Sequence, residues 1–255
     1  MTLFGMHAEN VGAFFDVDGT LLPAPSLEWR FIGYLLERDE ISGERAGRWL
    51  AGFAGSFWRD LHGATVGNKR YLRGISEERV SEWERSLGAE FFCGRSLAFF
   101  DEALRRIVWH RAQGHRVFLV TGTLGPLARV VARSLAARVF GEVEVCATEL
   151  EVAPGAARVW SGRIAGSHMS GDAKLRAVTE LAAHYGIELG RSYAYGDSAG
   201  DVPMLSAVGY GVAVNATRRL ARVARKRGWQ TCVWEKTLSE ISNAAAPQLI
   251  SKAAR

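Results

Sequence analysis

After Gly94 the chain alternates between short apolar runs and helix-length amphipathic segments. Arg116 to Val120, Val143 to Ala147, Ser192 to Tyr195 and Tyr210 to Val214 read as buried strands. Leu97 to Gln113, closed by Gly114, reads as a helix. So do the stretch from Pro126 to about Arg138 and that from Ala173 to Tyr185, ended by Gly186. Val202 to Ala207 gives a helical turn or two. Glu149 to Ile164, with Pro154-Gly155 in the middle, reads as a hairpin. A basic helix, a strand near Thr231 to Trp234 and a terminal helix follow. Near the N-terminus, Val11 to Phe15 is one more strand-sized run, ending at Asp16. Strands separated by helices cannot pair as hairpins, so they run parallel with helices on both faces. The expected fold class is α/β, a Rossmann-like open parallel sheet.

One segment breaks the alternation. From Ser26 to about Phe92 the texture is helical, with Leu27, Phe31, Tyr34 and Leu35 on one face and Trp49, Phe53 and Phe57 on another. Ser76 followed by Glu77 and Glu78 predicts a third helix start. The organisation expected is a discontinuous core, residues 1–22 and 95–255, with an all-helical insert at 23–94.

In open parallel sheets the site lies beyond the carboxyl ends of the strands. That rule selects three loops: Asp16 to Thr20, Thr121 to Thr123, and Gly196 to Asp201. Asp16 and Asp18 are costly to hold near one another, so a cation or shared proton is expected between them. A calcium-type loop or a plain Asp-Gly turn is the bland alternative. Thr121 and the Gly122 amide suit a phosphoryl oxygen, although a helix N-cap before Pro126 explains the threonine almost as well. Asp197 and Asp201 add two carboxylates four residues apart, and Asp201 could simply cap the following helix.

The composition fits a soluble globular protein: 48% hydrophobic and 23% charged, with no apolar run of membrane-spanning length. Met1 to Asn10 has no basic region followed by an apolar run, which makes the cytoplasm the expected compartment. Cys93, Cys146 and Cys232 are widely separated and lack metal-site spacing, so they are expected to be buried reduced thiols. The net charge of +5 is concentrated in Arg218, Arg219, Arg222, Arg225, Lys226 and Arg227. Their helical spacing predicts a solvated helix face, and with no aromatic interleaving no nucleic-acid partner is expected.

DVDGT at 16–20, VTGT at 120–123, Lys174 in GDAKLRAV and GDSAGD at 196–201 together resemble the motifs of the haloacid-dehalogenase-like superfamily. Their order and spacing match, and the helical insert resembles the cap of its phosphoserine-phosphatase-like branch. The resemblance implies that Asp16 is a nucleophile forming an aspartyl-phosphate, and that Asp18 is a general acid and base. It implies that Thr121, Gly122 and Lys174 hold the phosphoryl group. Asp16, the Val17–Asp18 backbone and Asp197 would bind Mg2+, with Asp201 behind them supporting its water shell. An acid at position 18 favours hydrolysis of a small phosphorylated metabolite, or phosphoryl transfer by a mutase. A third reading is a polyanion binder using helix 218–227.

Members acting on phosphoserine carry a Glu where this chain has Pro25; Glu28 lies three residues on. Arg30, Arg59, Arg70 and Arg73 are candidate insert contacts to an anionic substrate. Trp29, Trp49, Phe53, Phe57, Trp58 and Trp83 are expected to pack in the insert's core, with a substrate pocket as the alternative.

Overall fold

The computed structural model describes residues 10–41, 47, 69–87, 98–155 and 158–235. Six parallel strands form one sheet: β1 (Gly12–Phe15), β2 (Arg116–Leu124), β3 (Glu144–Thr148), β6 (Tyr193–Gly196), β7 (Tyr210–Val214) and β8 (Gln230–Cys232). Their spatial order is β3-β2-β1-β6-β7-β8. The chain therefore builds outward on one side of β1, then returns to build outward on the other. The reversal falls between β1 and β6, the place in such a sheet where a site is expected beyond the strand ends.

Side chains alternate between two apolar layers, as a pleated sheet requires. Ala13, Phe15, Val117, Leu119, Tyr195 and Val212 belong to one. Phe14, Phe118, Val120, Ala194 and Ala213 belong to the other. Helices α3 (Asp101–Ala112) and α4 (Gly125–Val139) cover the first face; α5 (Asp172–Tyr185), α6 (Val202–Ala207) and α7 (Arg218–Arg227) cover the second. Among the described residues, no helix is long and apolar enough to cross a membrane.

The described part of the insert contains α1 (Leu27–Glu37), a 3-10 turn at Arg70–Leu72 and α2 (Glu77–Leu87). The expected cap at Ser76 is present, its hydroxyl accepting from the Arg79 N–H at 3.2 Å. The two ends of this segment lie side by side, the Phe100 N–H donating to the Leu21 carbonyl at 3.0 Å. Phe31, Leu35, Tyr71, Leu72 and Trp83 continue the same apolar layer as Phe15 and Leu119. The hairpin of β4 (Leu150–Val152) and β5 (Trp160–Ile164) also meets the insert. Gly74 N–H donates to Trp160 O at 2.9 Å and Trp160 N–H to Ile75 O at 2.8 Å.

Several expectations need correction. Strand β2 does not stop at Val120; it runs on through Thr121–Thr123 with a register shift before Leu124. Neither threonine caps α4, whose N-cap is Leu124. Trp29 is 43% exposed rather than packed inside, whereas Trp83 is buried. Cys146 and Cys232 are free as expected but only half-buried. Strand β8 ends at Cys232, short of Trp234. Trp49, Phe53, Phe57, Trp58, Arg59, Cys93 and the C-terminal segment lie outside the described residues. On α7, Leu220 and Ala224 are buried while the six basic side chains are exposed, as a solvated helix face requires.

Behind β1 and β6 lies a buried polar chain. His110 Nε2 meets the Tyr195 hydroxyl at 2.8 Å, and His110 Nδ1 meets His115 Nδ1 at 2.9 Å. Burial, then the charges of His115 and Arg106, push the His110 pKa from 6.5 down to about 3. The unfolded chain therefore binds the extra proton first. The contribution of His110 to stability is complete above pH 6.5 and is lost as pH falls toward 3, amounting to about 2 kcal/mol by pH 5. Urea unfolding of wild type and His110→Gln at pH 7 and pH 5 is expected to show this loss as the difference between them, wild type changing by about 2 kcal/mol more in the destabilising direction than the variant on going to pH 5.

Candidate active site

Alternation along β1 continues past Phe15 and turns the Asp16 side chain to the face covered by α5. There the Lys174 ammonium reaches Asp16 Oδ1 at 2.6 Å and Asp201 Oδ1 at 2.5 Å. Lys174 lies in the first turn of α5, which is docked on the 196–201 loop by Gly171 N–H donating to Gly200 O at 2.8 Å. A lysine on an amphipathic helix is ordinarily exposed; this one is 3% exposed. Burial works against its charge, but Asp16 and Asp201 outweigh burial and hold its pKa well above the usual range.

Asp16, Asp197 and Asp201 each offer an oxygen within 4.8 Å of the others. Three carboxylates against one ammonium leave an excess of negative charge in a poorly solvated place. Burial raises the Asp16 pKa to about 7, with Lys174 opposing and Asp201 and Asp18 adding. Burial raises Asp197 to about 8, reinforced by Asp16 and Asp201. Asp201 is further committed: its Oδ2 accepts from Ser198 N–H at 2.9 Å, Ser198 Oγ at 2.9 Å and Asp197 N–H at 3.2 Å. Asp201 thus closes a capping box on its own 199–201 turn and also braces Lys174, but its side chain makes no cap hydrogen bond to the helix that follows, so the expected helix cap is not found. The turn after Asp18 brings Gly19 close to Asp197. Gly19 has φ +83°, and a Cβ there would lie 2.6 Å from the Asp197 carboxylate.

Asp18 is elsewhere. Its Oδ1 accepts the Leu27 N–H at 2.7 Å and its Oδ2 accepts the Thr123 hydroxyl at 2.8 Å. Its side chain is absent from the three-acid group, in which Asp201 stands instead. Burial raises its pKa, while Leu27 and Thr123 act in the opposite direction. Thr121 Oγ1 donates to Thr123 Oγ1 at 3.0 Å, so a chain of hydroxyls links the second motif to Asp18.

Thr123 and His168 extend the site beyond the residues the motifs assigned. His168 lies over Gly122, where a Cβ would come within 2.7 Å of the imidazole. Burial, then Lys69 and Lys174, lower the His168 pKa to about 4, despite the hydrogen bond to the Gly122 backbone. Thr123 is readable as the second hydroxyl of VTGT; nothing in the sequence around His168 marks it. Of the insert arginines, Arg30 is turned onto its own loop, donating to Pro25 O at 2.9 Å and Pro23 O at 2.5 Å. Arg70 and Arg73 pack against Gly162 of the hairpin.

Lys174→Met leaves Asp16 and Asp201 facing each other unpaired. It is expected to cost about 3–5 kcal/mol at pH 8 and less at pH 5.5, where Asp16 takes up a proton. Chemical denaturation at the two pH values checks this.

Residues 13–206 match the family model described as haloacid dehalogenase-like hydrolase. The chain is 32% identical over 236 residues to phosphoserine phosphatase SerB1 of Mycobacterium tuberculosis H37Rv, covering 86% of this chain and 69% of that protein. Its fold is similar to a Bordetella pertussis Tohama I protein of unknown function, with a TM-score of 0.70 at 26% identity, covering 88% and 98% of the two chains. A substrate-bound phosphoserine phosphatase shares the fold at a TM-score of 0.56 and 19% identity, covering 93% and 99%. The chain belongs to the haloacid dehalogenase-like hydrolases, among the phosphatases of the phosphoserine-phosphatase-like branch.

Proposed function

We propose that this phosphatase hydrolyses a small phosphate monoester through a covalent phosphoryl group on Asp16. The observation that carries the reading is the separation of two aspartates only two residues apart. Asp16 stands among acids and Lys174, while Asp18 is held apart by Leu27 and Thr123. Two carboxylates with different surroundings can take different roles.

In the first step an Asp16 oxygen attacks phosphorus, the bond from phosphorus to the alcohol oxygen breaks, and Asp18 gives its proton to that oxygen. The raised pKa of Asp18 favours a form that has a proton to give. In the second step water attacks the phosphoryl group, Asp18 takes a proton from that water, and the bond from phosphorus to Asp16 breaks. Phosphate leaves, with Asp16 ionised and Asp18 protonated again. Thr121 and the Gly122 amide would orient the phosphoryl oxygens, and Lys174 would neutralise charge developing on them.

The donor set fits a divalent cation such as Mg2+: all-oxygen, with the excess charge of three acids over one lysine. Asp16 and Asp197 would hold it, with Asp201 behind them. When bound it screens the carboxylate from the phosphate and favours the ionised form of Asp16. Residues 23–94 would act as a cap that selects the alcohol portion and limits water.

Asp16 and Asp197, both raised, contribute stability to the metal-free protein that is complete below pH 3.8 and is lost as pH rises toward about 7–8, opposite in sign to the contribution of His110. Mg2+ is expected to raise the melting temperature more at pH 8 than at pH 5.5, and Asp197→Asn should largely remove the effect. In turnover of p-nitrophenyl phosphate with Mg2+, Asp16→Asn should be inactive. Asp18→Asn should fall roughly 100- to 10,000-fold while keeping the Mg2+ stabilisation. Wild-type turnover in Asp16→Asn would overturn the mechanism.

A further inference from the structure

The insert carries a buried charged group that the phosphate chemistry does not use. Glu28, on the first turn of α1, accepts the Lys69 ammonium on both oxygens, at 2.6 and 2.5 Å. Its Oε1 also accepts the Tyr71 hydroxyl at 2.8 Å. Lys69 is only 2% exposed, and so is Tyr71. Desolvating a lysine and a glutamate together rarely stabilises a fold more than an apolar pair of the same volume would. A buried pair of this kind invites an explanation other than stability.

Its position supplies one. Leu27, the residue before Glu28, gives its N–H to Asp18. On the other side the charge of Lys69 is felt by His168, which covers Gly122. The pair is thus bracketed by the acid that would protonate the leaving oxygen and by the ring over the phosphate loop. On the phosphatase reading, the alcohol portion of an ester that takes a proton from Asp18 would lie beside α1 and this pair.

The charge state of the pair decides what it can read. Glu28 has both oxygens committed to Lys69 and one also to Tyr71, so it offers no net negative charge to a substrate ammonium. An incoming ammonium would instead face Lys69, a like charge in a poorly screened place. Lys69 has three donor hydrogens, and among the described residues Glu28 engages two, leaving one for an acceptor. We propose that Glu28, Lys69 and Tyr71 read the alcohol portion of the substrate, selecting phosphate esters that carry a hydroxyl or carboxylate beside the ester and disfavouring those that carry an ammonium. The inference rests on the phosphatase reading above.

O-phosphoserine and 3-phosphoglycerate form a matched pair, with an ammonium in the first where the second has a hydroxyl. The experiment measures kcat/KM for each with Mg2+, and the inhibition constant of each against p-nitrophenyl phosphate. Wild type is expected to favour 3-phosphoglycerate roughly tenfold or more in either measure, the scale of one hydrogen bond to a charged group. Lys69→Gln frees Glu28 and should move the ratio at least about tenfold toward O-phosphoserine. Glu28→Gln leaves Lys69 unneutralised and should hold or widen the preference for 3-phosphoglycerate. Thermal melts of both variants establish that they fold. A purely structural pair would lower both esters alike and leave the ratio unchanged, which overturns the proposal. So does a wild-type preference for O-phosphoserine, or failure of both esters to be turned over or to inhibit. Loss of p-nitrophenyl phosphate turnover in wild type would instead contradict the phosphatase reading itself, and the selectivity proposal would fall with it.

Discussion

The ammonium of Lys174, buried between Asp16 and Asp201, is the contact that organises the fold around it. Each of these charges gives up water, at an effective cost of several kcal/mol per ion. Nothing in that exchange favours folding unless all partners arrive together. Strand β1 must end at Asp16, α5 must start just before Lys174, and the loop after β6 must fold back on itself through Ser198. The sheet order meets these demands by placing β1 next to β6, so that two motifs far apart in the chain share one end of the sheet. Gly19 then lets the first turn close against Asp197.

The insert is joined to this arrangement by more than the two strands of chain that connect it. Its apolar residues extend the layer beneath the sheet, and its 74–77 segment pairs with the β4–β5 hairpin. Glu84 of α2 also binds Arg129 of α4, which reaches Glu149 as well. Such half-exposed ion pairs contribute little each to stability. The shared apolar layer contributes more, and it fixes where α1 presents Leu27 to Asp18. Asp18 is therefore positioned partly by α1, and on the proposed mechanism this would link substrate selection to proton transfer.

Much of the fold is legible in the sequence, for local reasons. Tyr210–Val214 and Val202–Ala207 have the bounds expected of them because glycine, proline and polar residues punctuate them. The turn at Gly186 and the cap at Ser76 likewise follow from single residues. The end of β2 is not legible, because a threonine-glycine run reads as a loop, whereas pairing with β3 carries it further as an irregular strand. Trp29 departs from expectation because helical spacing alone does not say which face meets the core. Asp16, Asp197 and Asp201 stand out because the motifs concentrate acids at strand ends. His168 over Gly122, and Lys69 against Glu28 across forty-one positions, are tertiary contacts with no local pattern to betray them. The charge on Lys174 is similar: its spacing suggests a role, but only the fold makes it a buried partner of two acids.

Everything proposed for the chemistry turns on Asp16, and not its neighbour Asp18, forming the bond to phosphorus. Acid-quenched turnover of a phosphate ester with Mg2+, followed by peptide mass spectrometry, reads that bond itself. One phosphoryl group is expected on the peptide spanning β1, localised to Asp16 and absent in Asp16→Asn. A phosphoryl group on Asp18 or His168 would contradict this assignment, as would steady phosphate release from Asp16→Asn at the wild-type rate.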